Sequence, residues 1–278
     1  ISCDSMQIYQ GMDVSTAKPT FEEMQGIKHH LIDFLPVTNT YNVSEYCEDA
    51  SRAFDDVLSR GSLPVFVGGT GLYIDSFLSN TQFLDGAFSD EIRLQLQYEL
   101  ENKGIDFLFD ELVSIDPKAA ENIHPNNVKR VLRALEVYRA TGKTLTEQNE
   151  LSHTEKTDIE PLFIGITYND REKLYDRINR RVDIMLENGL LDEARALFSG
   201  EYSNTAVASI GCKEMKPFLD GEKSLDECVE KLKQSTRRYA KRQMTWFSSH
   251  GNVHWLTADG KELSSLTEEA ARIIEDEL

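Results

Sequence analysis

Short apolar runs alternate along the chain with longer stretches in which apolar residues recur every three or four positions. The runs Ile1–Cys3, His30–Phe34, Leu63–Val67, Leu162–Ile166 and Val253–Leu256 read as strands of a parallel sheet. Strands covered on both faces lose the in–out alternation of half-exposed ones, and these runs show little of it. Val43–Arg60 places Val43, Tyr46, Cys47, Ala50, Phe54 and Leu58 at helical spacing and stops at Gly61. Asn127–Thr141 is closed by Gly142, Asp170–Gly200 divides at Gly189, and Ser224–Ser249 and Thr267–Leu278 complete the helical pattern. Strands alternating with helices predict an α/β fold.

Between Ser89 and Glu150 the alternation stops. Glu91–Lys103, Phe107–Ile115, Ala119–Ile123 and Asn127–Thr141 all carry the helical period, and no strand pattern intervenes. Leu151–Glu160 follows as a polar linker. The pattern predicts a helical insertion at 89–150 within a core built from 1–88 and 151–278.

Composition narrows the class. The chain has 278 residues, 40% of them hydrophobic, which is enough to build a sizeable core. No apolar run approaches the about 20 residues that cross a bilayer as a helix, so no membrane partner is expected. The formal charge of −18 argues at first against nucleic acid, because phosphate contacts need Lys and Arg. The distribution reverses that argument. Lys129, Arg130, Arg133, Arg139 and Lys143 face one acid, Glu136, within fifteen residues. Arg171, Lys173, Arg177, Arg180 and Arg181 form a second cluster. Lys231, Lys233, Arg237, Arg238, Lys241 and Arg242 form a third that contains no acid. One such run reads as a solvated helix face; three in an otherwise acidic chain point to phosphate contacts.

Two segments carry candidate chemistry. In Ile1–Gln7 an apolar strand delivers Asp4, Ser5 and Gln7 at its carboxyl end, where open α/β sheets bind ligands. Asp4 could equally cap a helix. In Pro64–Tyr73 a strand runs into Gly68, Gly69, Thr70 and Gly71, then a helix. Glycines let backbone approach a ligand and a helix N-terminus attracts an anion, although an ordinary tight turn has the same composition. Gly142-Lys143-Thr144 resembles the end of a phosphate-binding loop, but Val137 stands where the first glycine is needed. Cys3, Cys47, Cys212 and Cys228 are too scattered for a zinc site and read as reduced structural thiols. The six histidines show no metal-binding pair, and no Ser–His–Asp set suggests a hydrolase.

Six segments occur in the order of a known family: DSMQIYQGMDVSTAKPT, KHHLIDFLPV, PVFVGGTGLYI, HPNNVKRVLRALEVYRATGKTLTE, DRINRRVDIMLENGLLDEARAL and RRYAKRQMTWF. Together they resemble the tRNA dimethylallyltransferase (tRNA isopentenyltransferase) family from Ile1 to about Leu256. The resemblance implies a P-loop NTPase core of the nucleotide-kinase type, with its nucleotide-binding character, a parallel sheet and a helical insertion that grips the tRNA anticodon stem-loop. It implies transfer of a dimethylallyl group from dimethylallyl diphosphate to the exocyclic N6 amine of the adenosine beside the anticodon. Asp4 would be the general base and Thr70 its catalytic neighbour, while Ser5, Met6 and Gln7 line the tRNA-facing site. Arg177 and Arg181 would clamp the diphosphate. Arg93, the run Lys129, Arg130, Val131, Leu132 and Arg133, and the segment Ile210, Gly211, Cys212 and Lys213 would contact tRNA. Magnesium would be held through the diphosphate, with no metal ligand from the protein. A cytoplasmic, monomeric enzyme is expected.

The resemblance also implies a first strand and P-loop upstream of Ile1, in a unit of roughly 30–40 residues. The sequence as it stands is therefore expected to be a truncated product with little activity alone. Ser15, Cys212 and Ser248 replace the usual glycine, tyrosine and arginine, and the zinc finger of many eukaryotic members is lacking, which favours a bacterial type. The alternatives are a P-loop kinase acting on a nucleotide or small molecule, or a tRNA-binding fragment impaired in catalysis.

Overall fold

The computed structural model describes residues 1–81, 90–152 and 158–277. These residues form two compact units, Ile1–Phe77 with Ile159–Leu278, and Leu78–Asp158. The expected boundary at 88/89 and much of the expected linker Leu151–Glu160 fall outside the described residues.

In the first unit, β1 (Ser2–Cys3) pairs in parallel with β2 (Val67–Gly68), in the register Ser2↔Val67 and Cys3↔Gly68. β3 (Phe163–Thr167) pairs in parallel with β4 (Val253–Thr257), from Phe163↔Val253 to Thr167↔Thr257. The expected sheet is thus present as two separate parallel pairs among the described residues. The expected strand at His30–Phe34 is replaced by bends. Leu31 and Asp33 adopt φ of +60° and +56°, left-handed conformations that no strand accommodates. A single bridge, Tyr9 with Leu35, remains there.

Helices form where period and caps agree. α1 (Val43–Ser59) starts at a reciprocal capping box of Asn42 and Glu45. Its Tyr46 hydroxyl donates to the Ser2 carbonyl (3.2 Å) and its ring stacks on Tyr73 at 4.0 Å, which ties α1 beneath β1. α2 (Gly71–Leu78) follows the glycine-rich turn. After the second unit come α7 (Arg171–Glu187) and α8 (Leu190–Ser199), separated by left-handed Gly189 (φ +96°) as the sequence predicts. The short α9 (Asn204–Val207) and α10 (Cys212–Leu219) interrupt a stretch with no evident sequence pattern. α11 (Leu225–Phe247) opens on the Ser224/Glu227 capping box, and α12 (Leu263–Glu277) packs Leu266 near Leu256 of β4. No helix among the described residues is long and apolar enough to cross a membrane.

The second unit is helical: α3 (Asp90–Ile115), which breaks at Gly104 (φ +82°), α4 (Pro117–Asn122), α5 (Val128–Thr141) and α6 (Leu145–Ser152). Leu96, Leu108, Leu112, Val131 and Leu135 form its core. α6 opens where a polar linker approaches in the sequence, yet Thr144 and Glu147 cap one another reciprocally. Arg139 bridges Glu99 and Glu111 at 2.8 and 2.7 Å, which satisfies two acids against the core.

Buried Asp116 joins α4 to α6: it accepts from the Ala119 amide (3.1 Å), the Thr146 amide (2.9 Å) and the Thr146 hydroxyl (2.6 Å). Burial alone would raise its pKa, but these hydrogen bonds outweigh it and hold the carboxyl below its usual range. A carboxyl lowered by folding stabilises fully above its unfolded value and loses that effect as pH falls through the folded one. Asp116→Ala is expected to cost about 2 kcal/mol at pH 7. The difference from the parent should shrink below about pH 4 in denaturant titrations.

Candidate active site at the carboxyl end of β1

β1 hands the chain to Asp4, whose Oδ1 accepts from the Met6 amide (2.8 Å) and the Gln7 amide (3.3 Å). Its own amide donates to Ser2 Oγ at 3.2 Å. The residues that follow make a tight turn and not a helix, so Asp4 closes a local loop instead of capping a helix. One carboxylate oxygen is held by the backbone, and Oδ2 makes no hydrogen bond among the described residues.

The glycine-rich turn after β2 closes on the same point. The Thr70 amide donates to the Cys3 carbonyl (3.0 Å), and the Ser5 amide donates to Thr70 Oγ1 (3.1 Å). Backbone contacts therefore set Thr70 beside Asp4 and Ser5. A Cβ on Gly68 would lie 2.4 Å from the Cys3 carbonyl carbon, and one on Gly71 2.3 Å from the Trp246 ring. These glycines exist so that β1 and α11 can approach the turn.

Helix α11 brings residues that the sequence reading did not select. Tyr239 Oη and Gln243 Nε2 both donate to the Gly69 carbonyl, at 3.4 and 3.3 Å. Burial, reinforced by the charge of Asp4, raises the Tyr239 pKa against hydrogen bonds with Thr70 and Gln243, so the phenol stays neutral. Tyr239, Gln243 and Trp246 recur at helical spacing, a signal hidden among the lysines and arginines of that segment.

Arg177 and Arg181 lie one turn apart on α7. Arg181 is exposed, yet the atoms packed around it dehydrate its guanidinium, and this is the largest influence on its pKa, lowering it. Arg177 adds to that lowering, while the nearby charge of Asp4 opposes it. Arg181 therefore lies within electrostatic reach of the Asp4 carboxylate at the end of β1. Among the described residues no group of three or more His, Cys, Asp or Glu is placed to hold a metal ion.

The remaining expected contacts fall elsewhere. Gly211 precedes α10, and its amide donates to Glu214 at 2.9 Å, with Ile210 just ahead and half-buried. Lys213 Nζ donates to the Ala208 carbonyl. The Cys212 side chain is buried, with Sγ 3.9 Å from Glu193 Oε1, and burial pushes the thiol up to about 11. In the second unit, Lys129 and Arg130 are exposed on α5, whereas Arg93 and Arg133 both pair with Glu136, at 2.8 and 2.9 Å. The Val131 side chain is buried in the core of this unit, and Leu132 packs against the same core. α5 must turn one face inward to build that core, so alternate positions of a contiguous run cannot all meet a ligand. Arg130 and Arg133 border a cavity of about 510 Å³, with Lys118, Thr146 and Asn149.

Parallel strands whose carboxyl ends carry a pinned carboxylate and a hydroxyl, with an arginine within electrostatic reach, define an α/β protein of the group-transferring kind. The chain belongs to the IPP transferase family, whose model matches residues 7–250. A tRNA dimethylallyltransferase of Acetivibrio thermocellus is 50% identical over 261 residues, covering 93% of this chain and 83% of the relative. The crystal structure of the full-length tRNA isopentenylpyrophosphate transferase of Bacillus halodurans aligns with a TM-score of 0.70 and 41% identity, over 99% of this chain and 86% of that one. A eukaryotic dimethylallyltransferase acting on tRNA aligns with a TM-score of 0.80 and 29% identity, over 99% of this chain and 71% of that one.

The contact between Gly68 and Cys3 is backbone against backbone and cannot be relieved by a rotamer change. Gly68→Ala is expected to cost about 2–3 kcal/mol, read as a fall in the thermal midpoint, and to expose the Thr70 amide to hydrogen exchange.

Proposed function

We propose that this protein transfers a dimethylallyl group from dimethylallyl diphosphate to the N6 amine of the adenosine adjacent to the anticodon in tRNA. The observation that carries the mechanism is the Asp4 carboxylate, pinned through Oδ1 and placed within electrostatic reach of Arg181. An adenine amine is a poor nucleophile because its lone pair is delocalised into the ring. Asp4 Oδ2 accepts a hydrogen bond from that amine and takes its proton as the nitrogen–carbon bond forms. Thr70, held through Cys3 and Ser5, lies beside the amine, and Ser5, Met6 and Gln7 line the side from which the base enters. Arg177 and Arg181 stabilise the charge that gathers on the departing diphosphate. Bound magnesium would add to that neutralisation, held through diphosphate oxygens, since the described residues bring no group of three or more carboxylate, His or Cys ligands together. The target base must leave its stack, which costs a few kcal/mol and least in a loop.

Lys129 and Arg130, with Arg133 and Arg93 around Glu136, supply the basic surface for the anticodon stem, while Gly211 and Lys213 offer backbone and charge to the tRNA from the start of α10. A nucleotide-kinase-like core is part of this reading, supported by the two parallel strand pairs and the helices that follow them. Action in the cytoplasm as a monomer belongs to the same reading. The kinase alternative is not favoured, since the matched relatives are named as tRNA transferases.

In the full-length protein, Asp4→Asn is expected to lower the transfer rate by about 10²–10⁴-fold while tRNA affinity changes less than about twofold. Radiolabel transfer and filter binding read the two quantities, and full activity would remove Asp4 as the base. Arg130→Gln with Arg133→Gln should weaken tRNA binding and flatten the log–log salt slope by about one to two. An unchanged slope would assign both arginines to packing.

A further inference from the structure

The loop after the Asp4 turn is gripped by a lysine for which the mechanism above has no use. Lys18 is only 5% exposed at its side chain, although the carboxylates it meets are largely in water. Its Nζ donates to the Tyr9 carbonyl (2.5 Å), to Asp13 Oδ1 (2.8 Å) and to Asp33 Oδ1 (2.5 Å). All three donor positions of the ammonium are thus spent on tying one loop to itself.

What that tie restrains leads back to the reacting carboxylate. Ala17, next to Lys18, sits at φ +47°, and Asp33 at φ +56°. Residues with a Cβ occupy that region only where their surroundings hold them there. Both strained residues grip Gln7. Gln7 Nε2 donates to the Thr16 and Ala17 carbonyls (3.2 and 3.4 Å), and the Asp33 amide donates to the Gln7 carbonyl (2.9 Å). Gln7 in turn gives its amide to Asp4 Oδ1 at 3.3 Å, and its Oε1 accepts from Ser2 Oγ, the same oxygen that receives the Asp4 amide. A continuous path of hydrogen bonds and ion pairs runs from the Lys18 ammonium to both anchors of Asp4.

We propose that Lys18 is a positioning residue for prenyl transfer, acting through Asp33, Ala17 and Gln7 to fix the carboxylate of Asp4. The inference rests on the transfer reading above for its kinetic consequence, and on geometry alone for its structural one. Lys18 touches no reacting atom. Its effect lies in the fraction of time that Asp4 presents Oδ2 in a productive direction, so it belongs to kcat and not to substrate affinity.

Lys18→Met tests this in the full-length enzyme. The methionine fills the lysine's space, and the released carboxylates of Asp13 and Asp33 are already solvated, so the fold is expected to persist. The variant should lose about 10- to 100-fold in kcat, with KM for tRNA and for dimethylallyl diphosphate within about twofold. In an Asp4→Asn background the same substitution should cost less than about twofold, because no reacting carboxylate remains to be positioned. An unchanged kcat, or an equal fold-loss in both backgrounds, would overturn the proposal. Asp33→Asn gives the same cycle with a smaller expected loss, and decides the matter should Lys18→Met not fold. Hydrogen exchange at the Met6 and Gln7 amides gives a readout independent of activity. It should accelerate by at least about tenfold in Lys18→Met, and unchanged protection would sink the positioning role. Absence of transfer in the parent enzyme would refute the functional reading and leave the exchange result to stand by itself.

Discussion

The site depends on one close approach of backbones, between Cys3 at the end of β1 and Gly68 at the end of β2. That approach lets the Thr70 amide reach the Cys3 carbonyl and lets Thr70 Oγ1 receive the Ser5 amide. Two segments more than sixty residues apart are thereby locked where a carboxylate and a hydroxyl emerge together. Only a glycine permits it, because a Cβ would occupy the space of the Cys3 carbonyl carbon.

Around that contact the protein spends its polar groups on rigidity. Asp4 is held by two amides, Gln7 by Ala17 and Asp33, and Asp33 in turn by Lys18. Glu193 on α8 adds a further anchor, accepting from the Val14 and Ser15 amides at 2.7 and 2.9 Å. The cationic side is looser: Arg177 and Arg181 stand one turn apart at exposed positions of α7 and make no ion pair among the described residues.

The acidic net charge fits this arrangement. Carboxylates pair with many of the basic residues, as Glu136 does with Arg93 and Arg133, and as Asp183 does with Lys233 at 2.8 Å. Lys129, Arg130, Arg177 and Arg181 make no such pair among the described residues. Selective pairing restricts a polyanion to the cations left over, so a chain of charge −18 can still favour one class of RNA.

The sequence by itself determined the helices that combine a sustained period with explicit boundaries: α1 opened by Asn42 and Glu45, α5 closed by Gly142, α7 and α8 divided at Gly189, and α11 opened by Ser224 and Glu227. These signals are local, since a cap or a left-handed glycine acts within one turn. The motifs around Asp4 and Thr70 were legible for the same reason. His30–Phe34 was not, because apolar content fits a strand while Asp33 obeys contacts made from Gln7 and Lys18. Tertiary structure alone decided that Val131 and Cys212 turn inward, and that Tyr239 and Gln243 reach Gly69 across 170 residues or more. It alone decided, too, that Lys18 spends its charge on a loop. A residue's type states what it can bond; only the folded chain states what lies within reach.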